Sequence, residues 1–277
     1  LGTLWVILTQ ILGYGEYINE GYNLALDIYR PKDTWLNNDD VPTLSRNTPW
    51  WLTAIVHTGL YRNLQRAFFS RGMIEEGCAG YSWLGDPTQG GMTLSGRTGE
   101  PRGMYAPIAS FELGSAGFGA NPVRDGLDHG YGYFNPEADM GDAEDWERTQ
   151  KGLRYLSRRI KPNTAGYGRR RGGTGFETMG VFYGVEDAEA YSKLPGNVVN
   201  IPGLAGGYPN SGGYMLHAHQ TNIEELWREK RPYPLGDRPE APETETLLAA
   251  EIERNKHAMY YPRAFRDGDL IYMKYSG

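Results

Sequence analysis

The densest collection of chemically capable side chains lies in Asn121-Pro-Val-Arg-Asp-Gly-Leu-Asp128 and its continuation through Glu147. This segment holds eight carboxylates, one arginine, one histidine and four aromatic rings. Two Asn-Pro pairs and four glycines deny it a long regular helix. Disordered acidic tracts are poor in aromatics, so the rings argue for an ordered loop. Asp125, Asp128, Asp139, Asp142 and Glu144 offer hard oxygen ligands or an acid and base pair. The Asp-Met-Gly-Asp spacing lacks the alternating acids and terminal Glu of a calcium loop. His129 sits among these acids, which favour a protonated ring and make it a candidate proton carrier. The competing expectations are a histidine paired to a neighbouring carboxylate and a solvated surface loop.

Arg169-Arg170-Arg171 stands inside a glycine turn, Gly166 to Gly175. Guanidinium forks and backbone N–H groups in such a turn suit an anion or an acidic partner surface. The turn lacks the Lys-Ser/Thr of a phosphate loop and the spacing of a dinucleotide loop. His217 and His219 alternate as two residues on one face of a strand would. No third ligand follows them, so they are expected to be structural, and no metal ligand is assigned. Cys78 has no activating neighbour in sequence, and Trp50, Trp51 and the tyrosines suit packing as well as sugar stacking.

These groups need a scaffold, and composition limits what it can be. The chain has 277 residues, a net charge of −6 and no long Lys/Arg run, so nucleic acid is not an expected partner. A single cysteine excludes an internal disulfide framework and suits a reducing, cytoplasmic setting. The apolar run Leu4–Leu12 is too short to span a bilayer, and no basic residues precede it. Gly accounts for 38 residues and Tyr for 20, without periodicity. That balance predicts an α+β fold: a β-rich core with long Gly/Tyr-rich loops and a few helices, as part of a larger subunit. The absence of an initial Met and the termination in mid-strand are what a piece of a longer polypeptide would show.

Along the chain, a helical N-terminal part over 1–72 and a β-rich part over 77–277 are expected. Thr48-Pro49 begins the strongest helical stripe, about 49–70. Short helices are predicted at Asn19–Ile28, Asp142–Leu156, Asn222–Glu229 with Thr221 as cap, and Leu247–Ile252. Strands are predicted at Gly90–Leu94, Ala106–Leu113, Phe176–Tyr183 and Asp269–Tyr275. Glu240–Glu245 reads as an exposed connector.

Four segments share an order of motifs with a known family: Phe111 to Asp128, Asn135 to Glu147, Arg170-Arg-Gly-Gly-Thr-Gly-Phe-Glu177 and Gly203-Leu-Ala-Gly-Gly-Tyr-Pro-Asn-Ser-Gly-Gly213. Over residues 40–277 the sequence resembles the hydantoinase B/oxoprolinase family, and within it the large, alpha-type subunits of the acetone carboxylases. Asn135-Pro-Glu-Ala-Asp-Met-Gly-Asp142 favours the ketone-carboxylase branch. The resemblance implies the C-terminal portion of a subunit in a cytoplasmic hetero-oligomer, inactive by itself. It implies a hydantoinase A-like subunit that binds ATP, a small subunit, and a ketone and bicarbonate as substrates. It also implies manganese or zinc, with ligands in a part of the subunit that this sequence does not match.

The expected function is thus part of an ATP-dependent ketone carboxylase that joins an enolate to CO2 derived from bicarbonate. Two alternatives are an ATP-dependent cyclic-amide hydrolase of the hydantoinase or 5-oxoprolinase type and a non-catalytic, aromatic-rich carbohydrate-binding module. Candidate catalytic residues are Asp125, Asp128, His129, Asp139 and Asp142. Arg169, Arg170 and Arg171 are candidates for binding an anion or a partner.

Overall fold

A computed structural model describes residues 27, 29, 32, 63, 67, 90–95, 117, 119–120, 122–128, 144, 147–148, 152–185, 187–192, 203, 205–212, 214–234, 247–255 and 263–274. The backbone divides into two units, Leu1–Met73 and Ile74–Gly277. In the first, Asn63 and Ala67 are helical, within the expected 49–70 stripe. The predicted Asn19–Ile28 helix, the strand at Ala106–Leu113 and the connector Glu240–Glu245 lie wholly or almost wholly outside the described residues.

The second unit is built on two antiparallel sheets. Strands β1 (Gly90–Ser95), β4 (Asp187–Ser192) and β7 (Arg263–Phe265) form one in the order β1-β4-β7. The other comprises β2 (Leu153–Lys161), β3 (Gly175–Phe182), β5 (Tyr214–His219), β6 (Glu251–Asn255) and β8 (Leu270–Lys274), in the order β2-β3-β8-β5-β6. β3 and β8 are adjacent and buried along their whole length. Their near-continuous apolar runs are what strands covered on both faces require. The only helix whose bounds are described, α1 (Ile223–Arg228), lays Ile223 and Leu226 on Val181, Ala218 and Leu270. Each fully buried aliphatic side chain of this kind contributes about 1.5–3 kcal/mol over its exposed state.

Phe182 at the end of β3 and Phe265 on β7 stack at 4.4 Å between ring centroids, joining the two sheets. Between β7 and β8 the chain reverses through a turn closed by the Asp269 N–H donating to the Arg266 carbonyl at 3.0 Å. Gly268 holds φ = 84° there, a conformation that costs glycine little.

Three predicted elements differ from those observed. Glu144, Glu147 and Arg148 are helical, but Leu153 and Leu156 belong to β2 and not to a helix over 142–156. Gly152, at φ = 96°, breaks the helical path. A β2 irregularity between Tyr155 and Ser157 is held by the Tyr155 N–H donating to Glu147 Oε1 at 2.7 Å. The predicted Leu247–Ile252 helix is absent, and β6 starts at Glu251. There the Leu248 N–H donates to Asn222 Oδ1 at 2.8 Å and the Ala250 N–H to the His219 carbonyl at 3.0 Å. Tertiary pairing overrides the helical propensity of that apolar run. Asn222, rather than Thr221, is the α1 N-cap residue, without a side-chain capping bond. The Thr221 hydroxyl still accepts the Ile223 N–H at 3.3 Å.

Candidate functional site

The acidic loop and the arginine turn, distant in sequence, are one structure. Arg171 places Nη1 2.7 Å from Asp128 Oδ1 and Nη2 3.3 Å from Asp128 Oδ2, a fork on a carboxylate. Asp128 Oδ1 also accepts the Thr174 N–H at 2.9 Å, and Asp125 Oδ1 accepts the Arg171 N–H at 3.1 Å. The Gly126 N–H donates to the Arg171 carbonyl at 2.8 Å. Glycines permit this approach: a Cβ on Gly117 would lie 2.0 Å from the Gly173 carbonyl oxygen. The Arg171 guanidinium holds the Asp128 carboxyl below its ordinary range, with the Thr174 N–H helping. Asp128 in turn raises the Arg171 pKa. A carboxylate kept ionised in this way suits a fixed negative brace and is a poor proton donor near neutrality.

Four of the turn's backbone donors are occupied from within. The Gly172 N–H donates to the Gly166 carbonyl at 2.9 Å, and the Gly175 N–H to Thr164 Oγ1 at 2.7 Å. Together with the two N–H groups taken by Asp125 and Asp128, these commit the Arg171–Gly175 end of the turn largely to the protein's own acceptors. Arg171 is thus committed to Asp128, whereas Arg169 and Arg170 are exposed. Glu144 is helical and exposed. His129, Asp139, Asp142, Cys78, Trp50 and Trp51 lie outside the described residues.

A third loop joins this pair. The Tyr208 N–H donates to the Tyr167 carbonyl at 2.7 Å, and the Ser211 N–H to the Thr164 carbonyl at 2.8 Å. Lys274 on β8 donates to the Gly212 carbonyl at 3.0 Å and to the Ser211 hydroxyl. Lys274 belongs to a polar row that crosses the larger sheet. Register places Arg159, Glu177, Lys274 and Tyr214 opposite one another on β2, β3, β8 and β5, and therefore on one face. Glu177 is fully buried, accepting from Arg159, from Lys161 Nζ at 2.8 Å and from the Tyr272 hydroxyl at 2.6 Å. Sequence reasoning assigned nothing to this cluster. Its signal was an acid inside the apolar run Gly-Phe-Glu177-Thr-Met-Gly-Val-Phe, facing the alternating cations Arg159 and Lys161.

His217 and His219 do share a face, with ring centroids 6.4 Å apart, and both rings pack on Phe265. His219 Nδ1 lies 3.1 Å from Asp269 Oδ2. Since a carboxylate accepts, this nitrogen carries the hydrogen. Asp269 also receives the Gln220 N–H at 2.7 Å and the Arg266 N–H at 2.8 Å. Among the described residues, no three His, Cys, Asp or Glu side chains converge as a metal-ligand set. No helix among them is long and apolar enough to cross a membrane.

Residues 2–276 match the hydantoinase B/oxoprolinase family. The chain belongs to that family. The match includes residues 2–39, beyond the span of the motif resemblance. Over 275 residues the chain is 37% identical to the acetone carboxylase alpha subunit of Xanthobacter autotrophicus (strain ATCC BAA-1158 / Py2), covering 98% of this chain and 34% of that subunit. A nucleotide-free structure of acetone carboxylase superposes with a TM-score of 0.80 at 33% identity, covering 99% of this chain and 35% of that one. The ATP-dependent caprolactamase of Pseudomonas jessenii shares the fold, with a TM-score of 0.61 at 15% identity over 99% of this chain and 41% of its own. The chain therefore spans about a third of the length of its curated relative, and its sheet-dominated α+β fold is that of the family.

Proposed function

We propose that this chain forms part of the large subunit of an ATP-dependent ketone carboxylase. The observation that carries the reading is 37% identity across 98% of the chain to an acetone carboxylase alpha subunit. In the proposed reaction a ketone loses an α-proton, and the resulting enolate carbon bonds to the carbon of CO2 derived from bicarbonate, giving a 3-oxo acid. ATP, bound on a hydantoinase A-like partner beside a small subunit, would supply the driving force, and manganese or zinc, held by residues elsewhere in the large subunit, would stabilise developing negative charge. The single cysteine suits a cytoplasmic location.

Within that reading the described residues supply a frame. An enolate is protonated quickly in water, so the reacting centre must be walled off. Three glycine-rich loops, joined by Asp128–Arg171 and by the Tyr208–Tyr167 backbone bond and anchored to the sheet by Lys274, are suited to form part of a rigid wall. Asp125 and Asp128 brace that wall.

The family also takes its description from hydantoinases and oxoprolinases, which favours a second reading: ATP-dependent opening of a cyclic amide. The two are separated by isolating the native assembly around the full-length subunit and measuring ADP release. Release that requires both acetone and bicarbonate, with labelled bicarbonate appearing in acetoacetate, supports the first. Release with hydantoin or 5-oxoproline alone, without label incorporation, would replace it with the second.

A further inference from the structure

The arginine turn uses one of its three guanidinium groups internally and presents the other two. Arg169 and Arg170 are exposed, with no ion pair among the described residues, although the chain as a whole carries −6. Beside them stand Tyr167 and Tyr208, 62% and 72% exposed, among the most exposed large side chains described. The backbone beneath is fixed. Tyr208 N–H to Tyr167 carbonyl spans 2.7 Å, and a Cβ on Gly166 would fall 2.4 Å from the Tyr208 carbonyl oxygen. Asp128 holds the neighbouring Arg171.

We propose that Arg169, Arg170, Tyr167 and Tyr208 form a docking surface for a carboxylate-bearing loop of a different polypeptide. This rests on the reading above only in that the chain works within a multi-chain assembly. Arginine and tyrosine are the residues that dominate binding hot spots, and tyrosine offers large contact area at low conformational cost. The Asp128 brace orders the turn beforehand, so less entropy is lost on binding. A small anion is the weaker occupant. It would draw on the turn's backbone N–H groups, and four of them, those of Arg171, Gly172, Thr174 and Gly175, already donate to Asp125, Gly166, Asp128 and Thr164. The two outward guanidinium groups, flanked by two rings, match dispersed carboxylates on a protein face in charge and in reach.

The test uses the native assembly containing the full-length subunit. Arg169→Glu with Arg170→Glu is expected to weaken subunit association by at least about tenfold, and to flatten its dependence on salt. The melting temperature of the subunit should stay within about 3 °C, since neither side chain supports the local fold. In a wild-type background, Tyr208→p-benzoylphenylalanine should photo-cross-link to a peptide of another subunit rich in Asp or Glu. Replacing that peptide's acids with Lys should restore binding to the double Glu variant. If the double Glu variant does not fold, Arg169→Gln with Arg170→Gln and the cross-link decide. Unchanged association overturns the surface, as does a cross-link within the same chain, to a second copy of it, or to nothing. Millimolar phosphate that protects the turn from arginine modification in the dissociated subunit would show a small-anion site instead. A wild-type subunit fully active as a single chain would overturn the assembly reading and this surface together. A wild-type assembly that the variants leave intact would overturn the surface alone.

Discussion

Asp128 and Arg171 are 43 residues apart in sequence and meet through two hydrogen bonds, of 2.7 and 3.3 Å. Their side chains are 37% and 42% exposed, so solvent screens the pair. Direct coupling is therefore about 0.5–1 kcal/mol, and the larger role of the contact is geometric. A double-mutant cycle of Asp128→Asn and Arg171→Gln in the full-length subunit should return a coupling of that size from chemical denaturation. Arg171→Lys should recover only part of it, since an ammonium cannot fork onto both oxygens. Additive single-mutant effects would show that the two residues do not act as a unit.

The pair should respond to acid in one direction. Its folded-state pKa lowered by Arg171, Asp128 contributes stability that is fully present above the ordinary aspartate value of about 3.9. That contribution disappears as pH falls through the lowered folded value. The coupling should hence stay flat from about pH 8 to 5 and decline only below about pH 4. A decline centred near pH 6.5 would point to a histidine as the controlling group.

Glu177 carries far more weight. It is fully buried and receives Arg159, Lys161 and Tyr272. Glu177→Gln removes the anion from between Arg159 and Lys274, its neighbours in register, and from Lys161, which reaches it from two residues along β2. Such a change typically costs about 3–5 kcal/mol, because positive charge is left in a low-dielectric setting. Denaturation of the full-length subunit should show that loss, and a change under about 1 kcal/mol would mean that water reaches the row. Glu177→Met with Lys161→Met should be milder than Glu177→Gln alone.

The contrast between these sites shows what one sequence discloses. β3, β8 and α1 were legible because apolar runs and turn residues are local signals. β2 was not, since Leu153 and Leu156 also sit at helical spacing, and only pairing with β3 decides between the two forms. The acidic loop and arginine turn were each conspicuous, and one of the family motifs ends at Asp128 while another begins at Arg170. Nothing local says that they bond to each other, because a 43-residue separation erases any periodic trace. Glu177 closed a recognised motif, yet its partners come from β2 and β8, which only register brings together.

His217 and His219 offer a last separation of structure from chemistry. Both rings rest on Phe265, and His219 donates to Asp269, whose two oxygens also hold the Gln220 and Arg266 backbone N–H groups. Asp269 is therefore the keystone of the corner between β5, β7 and β8, and His219 is one of its three donors. Asp269→Ala should cost about 2–3 kcal/mol, since it strands two backbone donors, whereas His219→Ala should cost about 1 kcal/mol, the worth of one hydrogen bond. Neither change should alter the metal content of the native assembly, measured per large subunit by elemental analysis. His217→Ala together with His219→Ala should also leave it unchanged, because the described residues supply no third ligand within reach. Loss of one metal equivalent in the double variant, with the fold intact by melting temperature, would make the pair ligands and reverse this assignment.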